Sequence, residues 1–267
     1  MRTPLEEMFS QARKDNRAAL IAYIPAGFPT IEGCKKVIQV FAAAGVDAVE
    51  IGFPYSDPVM DGPTIQEAAQ IALSQHTGAS DVFDAVKFAH QSGLPTLVMT
   101  YWNPIAKYGV DKFAAEMARS GGSGVITPDL TIEEAAEWKM VTAKAEINTV
   151  FVVALSTTED RLSKVTQQCS GFVYAASLMG VTGARNSVGA GAADLVARIR
   201  ATSDLPVAVG LGVSTGEQAR EVASYADGVI VGSAFIKLLL EAPNEAQGLE
   251  NVRALVTQLR EGMALAR

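Results

Sequence analysis

The sequence predicts an α/β protein, a single (β/α)₈ barrel with extra N-terminal and C-terminal helices. Three observations lead there. Short apolar runs rich in β-branched residues recur eight times, amphipathic stretches separate them, and no Pro-, Ser- or charge-rich linker divides the chain, so residues 1–267 read as one domain. Strands that are apolar on both faces and joined by helices make a parallel sheet covered on the outside. Eight such units favour closure into a barrel over an open doubly wound sheet. The open sheet is the lesser alternative, because no strand is followed by G-x-G-x-x-G.

The strand candidates, in order, are ALIAYI (19–24), AVEIG (48–52), TLVMTY (96–101), GVIT (124–127), TVFVVA (149–154), FVYAAS (172–177), VAVGLG (207–212) and GVIVGS (228–233). Between the first two, Ile31 to Ala44 places Cys34, Val37, Ile38 and Phe41 on one face and stops at Gly45, as a helix C-terminus does. The long interval before the third strand holds two helical patterns, TIQEAAQIALSQ and SDVFDAVKFAHQ. Thr64 to Glu67 and Thr131 to Glu134 each fit a capping box and are read as helix starts. The tail from Asn244 to Arg267 reads as one further helix.

Composition excludes several function classes. The formal net charge of −7 comes from 29 acidic against 22 basic residues with no basic cluster, which argues against nucleic-acid binding. The first residues, MRTPLEEMFSQARKD, put acids where a signal peptide needs an apolar core, and no stretch is apolar for long enough to span a bilayer, so a cytoplasmic location is expected. Cys34 and Cys169 belong to no metal-ligand spacing, and no metal site is expected. His76 and His90, the two histidines, lie in helical stretches away from any glycine-rich loop, which leaves acid–base chemistry to carboxylates.

In a barrel the reactive face lies at the C-terminal ends of the strands. Alternation along the second strand sets Ala48, Glu50 and Gly52 on one face and Val49, Ile51 and Phe53 on the other. The bulky set suits the helix layer, which turns Glu50 into the barrel mouth. Dehydration there raises a carboxyl pKa toward the range where one group gives and takes a proton; a glutamate paired with a cation is the plain structural alternative. Asp57 and Asp61 follow in a loop interrupted by Pro54, Pro58, Gly62 and Pro63. Turns favour aspartate for backbone reasons, but Asp61 shares the mouth with Glu50 and can accept from a donor such as a ring N–H. Gly210 and Gly212 in GLG, and Gly232 and Ser233 in GS, end the seventh and eighth strands and run toward helix N-termini. Close backbone approach and free amides there favour phosphate, with plain tight turns as the alternative. GVTGA (180–184) adds a third glycine loop, long enough to act as a lid.

The stretch EIGFPYSDPVMDGPTIQ, followed in order by GVTGA, GLGVS and VGSAFIK, closely resembles the tryptophan synthase alpha subunit family across nearly the whole chain. The resemblance implies a lyase that cleaves indole-3-glycerol phosphate to indole and glyceraldehyde 3-phosphate with no cofactor in this chain. Glu50 matches the family's acid–base residue, and Asp61 the carboxylate that steadies charge on the indole N–H. Tyr23, Tyr101 and Tyr174 match positions around the substrate, Thr182 a lid residue, and Gly183, Gly210, Gly212, Gly232 and Ser233 the phosphate site. The family works with a beta subunit that carries pyridoxal phosphate, in an alpha2beta2 tetramer. Pro54, Tyr55, Ser56, Asp57, Pro58, Asn103 and Pro104 match its contact surface, with Trp102 and Tyr108 as further aromatic anchors. A stand-alone lyase that releases free indole is the rival reading, and a barrel that has lost its chemistry and only activates a partner is another.

Overall fold

Short strands buried on both faces alternate with helices along the chain, as the sequence leads one to expect. The computed structural model describes residues 2–176, 190–210 and 212–266. Helix α1 (Pro4–Lys14) precedes β1 (Ala19–Pro25), α2 (Ile31–Ala44), β2 (Ala48–Gly52), α3 (Pro63–Ser74), α4 (Ala79–Gln91) and β3 (Thr96–Met99). Then come α5 (Trp102–Tyr108), α6 (Val110–Arg119), β4 (Gly124–Ile126), α7 (Ala136–Lys144), β5 (Asn148–Val150), β6 (Val152–Ala154), α8 (Glu159–Thr166) and β7 (Val173–Ala176). The chain continues through α9 (Ala190–Arg200), β8 (Val207–Gly210), α10 (Gly216–Ala223), β9 (Gly228–Val231), α11 (Ser233–Glu241) and α12 (Glu245–Ala264).

All pairings are parallel, in the order β5-β4-β3-β2-β1-β9-β8-β7-β6. The two ends of that order, β5 and β6, are halves of the expected fifth strand, interrupted at Phe151. Val150 accepts from Thr127 N–H on one side and Phe151 from Tyr174 N–H on the other. The fifth strand thus faces β4 with its first half and β7 with its second, and the sheet closes into an eight-stranded barrel. β1 runs one residue past its apolar run and β2 matches its own, whereas β3, β4 and β9 end earlier than theirs suggest, because Thr100, Tyr101, Thr127, Gly232 and Ser233 already belong to the loops and helices above them.

The alternation divides the core in two. Ile21, Ala48, Leu97, Ile126, Val150, Ala208 and Ile230 fill the barrel interior, while Leu20, Ala22, Ile24, Val49, Ile51 and Val98 face outward under the helices. Helix α1 closes the bottom of the barrel: Leu5, Phe9 and Ala12 join the inner cluster, and the Phe9 and Phe172 rings lie 5.5 Å apart. Its start is fixed by a capping box between Thr3 and Glu6, and Asn148 at the foot of β5 bonds both side chains. The expected box at Thr64 is absent. Pro63, whose ring presets the first helical turn, begins α3, and Gly62 caps it without a side chain. Thr131 to Glu134 is likewise no helix start: it forms a separate turn joined by its own side chains, and α7 begins at Ala136. Cys34 is buried with Val37, Ile38 and Phe41, and Gly45 ends α2 at a φ of 86°, both as expected.

Asp227, before β9, ties α1 and α9 to the lower rim. Its oxygens take Arg13 at 3.0 Å, Arg200 at 3.2 Å and the Val207 N–H at 3.0 Å. Burial alone would raise its pKa, but the hydrogen bonds and the Arg13 charge hold it below the ordinary aspartate value. A lowered folded pKa adds stability above the unfolded value of about 3.9, which is lost as pH falls through the folded value. Because both guanidiniums are half exposed, Asp227→Asn is expected to cost about 2 kcal/mol at neutral pH. In urea titrations the gap from the native chain should close toward pH 3; a gap of the same size there would rule out the ionic origin.

Candidate active site

At β2, register and residue size together decide where Glu50 goes. It pairs with Tyr23 on one neighbour and Leu97 on the other, between the small Ala48 and Gly52, and points inward at the upper end of the barrel. Only 1% of it is exposed, and its Oε2 has no hydrogen-bond partner among the described residues. Burial pushes its pKa up to about 8, and the negative field of Asp61 adds to the rise. A cation pair would have lowered it. The structural alternative for Glu50 therefore has no support among the described residues.

Asp61 reaches the same mouth from the loop after β2, immediately before the Gly62 cap of α3. It is half-buried. Burial raises its pKa and a hydrogen bond from Tyr101 opposes the rise, so this carboxylate ionises more readily than Glu50. The Tyr101 hydroxyl also accepts the Met60 N–H at 3.0 Å, which pins the loop beside Asp61. Two carboxyl groups of unlike environment thus share the barrel mouth, one tending to hold its proton and the other its charge.

Tyr23 and Tyr174 complete this cluster. Burial first, then the fields of the two carboxyl groups (Asp61 ahead of Glu50 for Tyr23, Glu50 ahead of Asp61 for Tyr174), raises both phenols well above 10, so they remain hydrogen-bond donors at working pH. Glycines make room for them: a Cβ on Gly52 would stand 2.2 Å from the Tyr23 hydroxyl, and one on Gly210 would stand 2.5 Å from that of Tyr174. Across the mouth, Gly212 has a φ of 67° and open space where a side chain would be. It does not lead directly into a helix as expected; Thr215 caps α10 three residues later. Gly232 and Ser233 do meet the expectation, as the cap and first residue of α11, with no side chain over its amides. Thr182 and Gly183 lie outside the described residues.

The residues matched to a contact surface come together beside this mouth. Tyr55 is half-buried and its hydroxyl accepts Asn103 Nδ2 at 3.0 Å, while Ser56, Asp57 and Asn103 are exposed. Pro58 and Pro104 are partly exposed, whereas Pro54 is buried beneath the loop. Tyr108 packs on Phe83 and Phe113, and Trp102 on Trp138, with the Trp102 N–H on the Asp129 carboxylate. The PYSDPV stretch matched to that surface ends at Val59, which is 76% exposed; sequence reasoning missed its neighbour Met60, 48% exposed on the same loop. The signal was two adjacent apolar residues inside a Pro- and Asp-rich turn. His76 and His90 are exposed, and no group of three ligating side chains able to hold a metal occurs among the described residues.

A sequence profile described as tryptophan synthase alpha chain matches residues 9–264. The tryptophan synthase alpha chain of Streptomyces coelicolor is 55% identical over 260 residues, covering 97% of this chain and 96% of that one. That of Thermobifida fusca is 51% identical over 267 residues, covering 99% of each. Among solved structures, tryptophan synthase of Mycobacterium tuberculosis superposes with a TM-score of 0.92 at 44% identity, over 99% of this chain and 100% of that one. The alpha subunit from Legionella pneumophila gives 0.87 at 31% identity, over 99% of each.

Glu50 also carries a stability signature. Its folded pKa of about 8 lies above the ordinary 4.5, so the folded state retains a proton that the unfolded state loses. Stability should therefore fall as pH rises between those two values and level off beyond them. Glu50→Gln removes the titration. In urea denaturation it should be more stable than the native chain by a few kcal/mol at pH 9, with the advantage shrinking toward pH 5. Parallel stability curves for the two proteins would show that Glu50 titrates normally.

Proposed function

The chain belongs to the tryptophan synthase alpha chain family, and from that premise we propose how its residues perform the reaction. It is a carbon–carbon lyase of tryptophan biosynthesis that cleaves indole-3-glycerol phosphate. The single observation that carries the residue assignment is Glu50, a buried carboxyl at the mouth of the barrel with no cation beside it among the described residues.

Protonated Glu50 donates to indole C3, which makes the ring carbon a leaving group and leaves positive charge on the ring nitrogen. Asp61, the more readily ionised carboxyl, accepts the indole N–H and offsets that charge. The Glu50 carboxylate then takes the proton of the hydroxyl on the side-chain carbon bonded to C3. As that oxygen becomes the aldehyde carbonyl of glyceraldehyde 3-phosphate, the C–C bond breaks and its electron pair returns to the ring, releasing indole. Glu50 ends protonated, as it began. Proton transfer of this kind supplies about 10²–10⁴-fold of rate. Desolvation, together with the neighbouring acid, suits Glu50 to both directions of transfer.

Tyr23, Tyr101 and Tyr174 wall the indole and glycerol portion. The phosphate lies across the mouth on backbone amides at Gly212, Gly232 and Ser233, with the α11 dipole behind it; the family resemblance adds Gly183 and Gly210 to that site and gives Thr182 the role of a lid residue that closes toward Asp61. The reaction asks for no cofactor in this chain. A beta subunit is its partner, carries pyridoxal phosphate and receives the indole; we assign an alpha2beta2 tetramer docked through Tyr55, Ser56, Asp57, Pro58, Asn103 and Pro104 over Pro54. A cytoplasmic location fits the two free thiols, and no helix among the described residues is long and apolar enough to cross a membrane.

Purified protein given indole-3-glycerol phosphate should release indole slowly alone and faster with the beta subunit. Equal rates would favour the stand-alone lyase, and no indole under either condition would remove the reading. Glu50→Gln should lower kcat by about 10²–10⁴-fold while glycerol 3-phosphate still binds. In the native enzyme kcat/KM should fall as pH rises past about 8, where Glu50 loses its proton. Retained turnover in the glutamine variant would reassign the acid.

A further inference from the structure

Tyr55 has so far been placed only on the contact surface, yet its bonds run inward. Its ring lies against Tyr101, with centroids 5.3 Å apart and planes inclined by 38°. Its hydroxyl is held by Asn103 Nδ2 at 3.0 Å, from the first turn of α5. Tyr101 immediately precedes that helix, is 6% exposed, and holds the loop of Asp61 through the Met60 N–H and the carboxylate itself. One tyrosine of the β2–α3 loop thus braces the side chain that fixes the far end of the same loop. Val59 and Met60 are largely solvent-exposed, so packing on their own side chains does little to hold that end.

We propose that Tyr55 is a positioning residue for the lyase reaction: its ring, anchored by Asn103, holds Tyr101 in the orientation that aims the Asp61 carboxylate at the substrate's ring nitrogen. The proposal rests on the role given to Asp61 above. Tyr55 touches neither substrate nor reacting atoms. Without the brace, Tyr101 gains rotational freedom, and the carboxylate it holds is no longer fixed where charge develops, a misplacement that lowers kcat more than it weakens ground-state binding. The phosphate end, on the opposite side of the mouth, is independent of it.

The test is steady-state lyase kinetics on the full chain without a beta subunit, for Tyr55→Phe, Tyr55→Ala, Asp61→Asn and the Tyr55→Ala/Asp61→Asn double variant, with Glu50→Gln as the control. Tyr55→Ala should lower kcat by about tenfold with KM changed by less than about threefold, and Tyr55→Phe, which keeps the ring and loses only the Asn103 bond, should lose about two- to threefold. In the Asp61→Asn background the Tyr55→Ala loss should vanish, because there is no carboxylate left to aim. Glycerol 3-phosphate affinity reports the intact fold and should be the same in all. A Tyr55→Ala kcat within about threefold of the native value, a loss carried by KM, or a loss that persists undiminished beside Asp61→Asn overturns the proposal. Turnover surviving in Glu50→Gln would instead overturn the reaction assignment on which it rests.

Discussion

A buried carboxyl group at the barrel mouth, with no cation beside it among the described residues, is the constraint on which the site depends. Glu50 sits where the inner face of β2 passes from the packed interior, represented by Ala48 and its neighbours, to the opening above it. Such a group is unfavourable when charged, and one of its oxygens has no hydrogen-bond partner among the described residues. It persists because the strands on either side fix its backbone and because Val49 and Ile51, its outward neighbours, are locked under the helices. The same burial that opposes ionisation makes the proton available near neutral pH. Asp61, on a half-buried loop, raises that tendency in Glu50 while remaining the more ionisable of the two.

The barrel separates stability from chemistry along its axis. At the lower end α1 fills the opening with Leu5 and Phe9, and Asp227 and Asp47 gather arginines from distant elements. At the upper end the described residues offer glycines, tyrosines and unpaired acids instead, together with uncapped amides at α11. Interactions that would relax the mouth, such as an arginine beside Glu50, are absent among the described residues there. Rigidity has to come from below and from the helix layer, and a few side-chain contacts such as Tyr55 on Tyr101 complete it at the rim.

Much of this was legible in the sequence because strand alternation is a local rule. The inward turn of Glu50 followed from small residues at 48 and 52 against bulky ones at 49, 51 and 53, and the eight units followed from repetition of the same pattern. What was hidden depended on partners far away in the chain. Thr64 looks like a cap until Pro63 is seen to occupy the first turn, and Thr131 bonds within its own turn rather than to a helix. The break at Phe151 depends on two different neighbours, β4 and β7, drawing on the two halves of one strand. The links from Asn103 to Tyr55 and from Tyr101 to Met60 join residues 41 to 48 positions apart, and no periodicity announces them.

Direct titration of one group decides the matter: ¹³C NMR of the glutamate side-chain carboxyls, with the Glu50 resonance assigned by its loss in the glutamine variant. A midpoint near 8 in the ligand-free protein is the expected result. A midpoint at the ordinary value of about 4.3 would contradict it, and would mean that position 50 is charged and solvated at neutral pH.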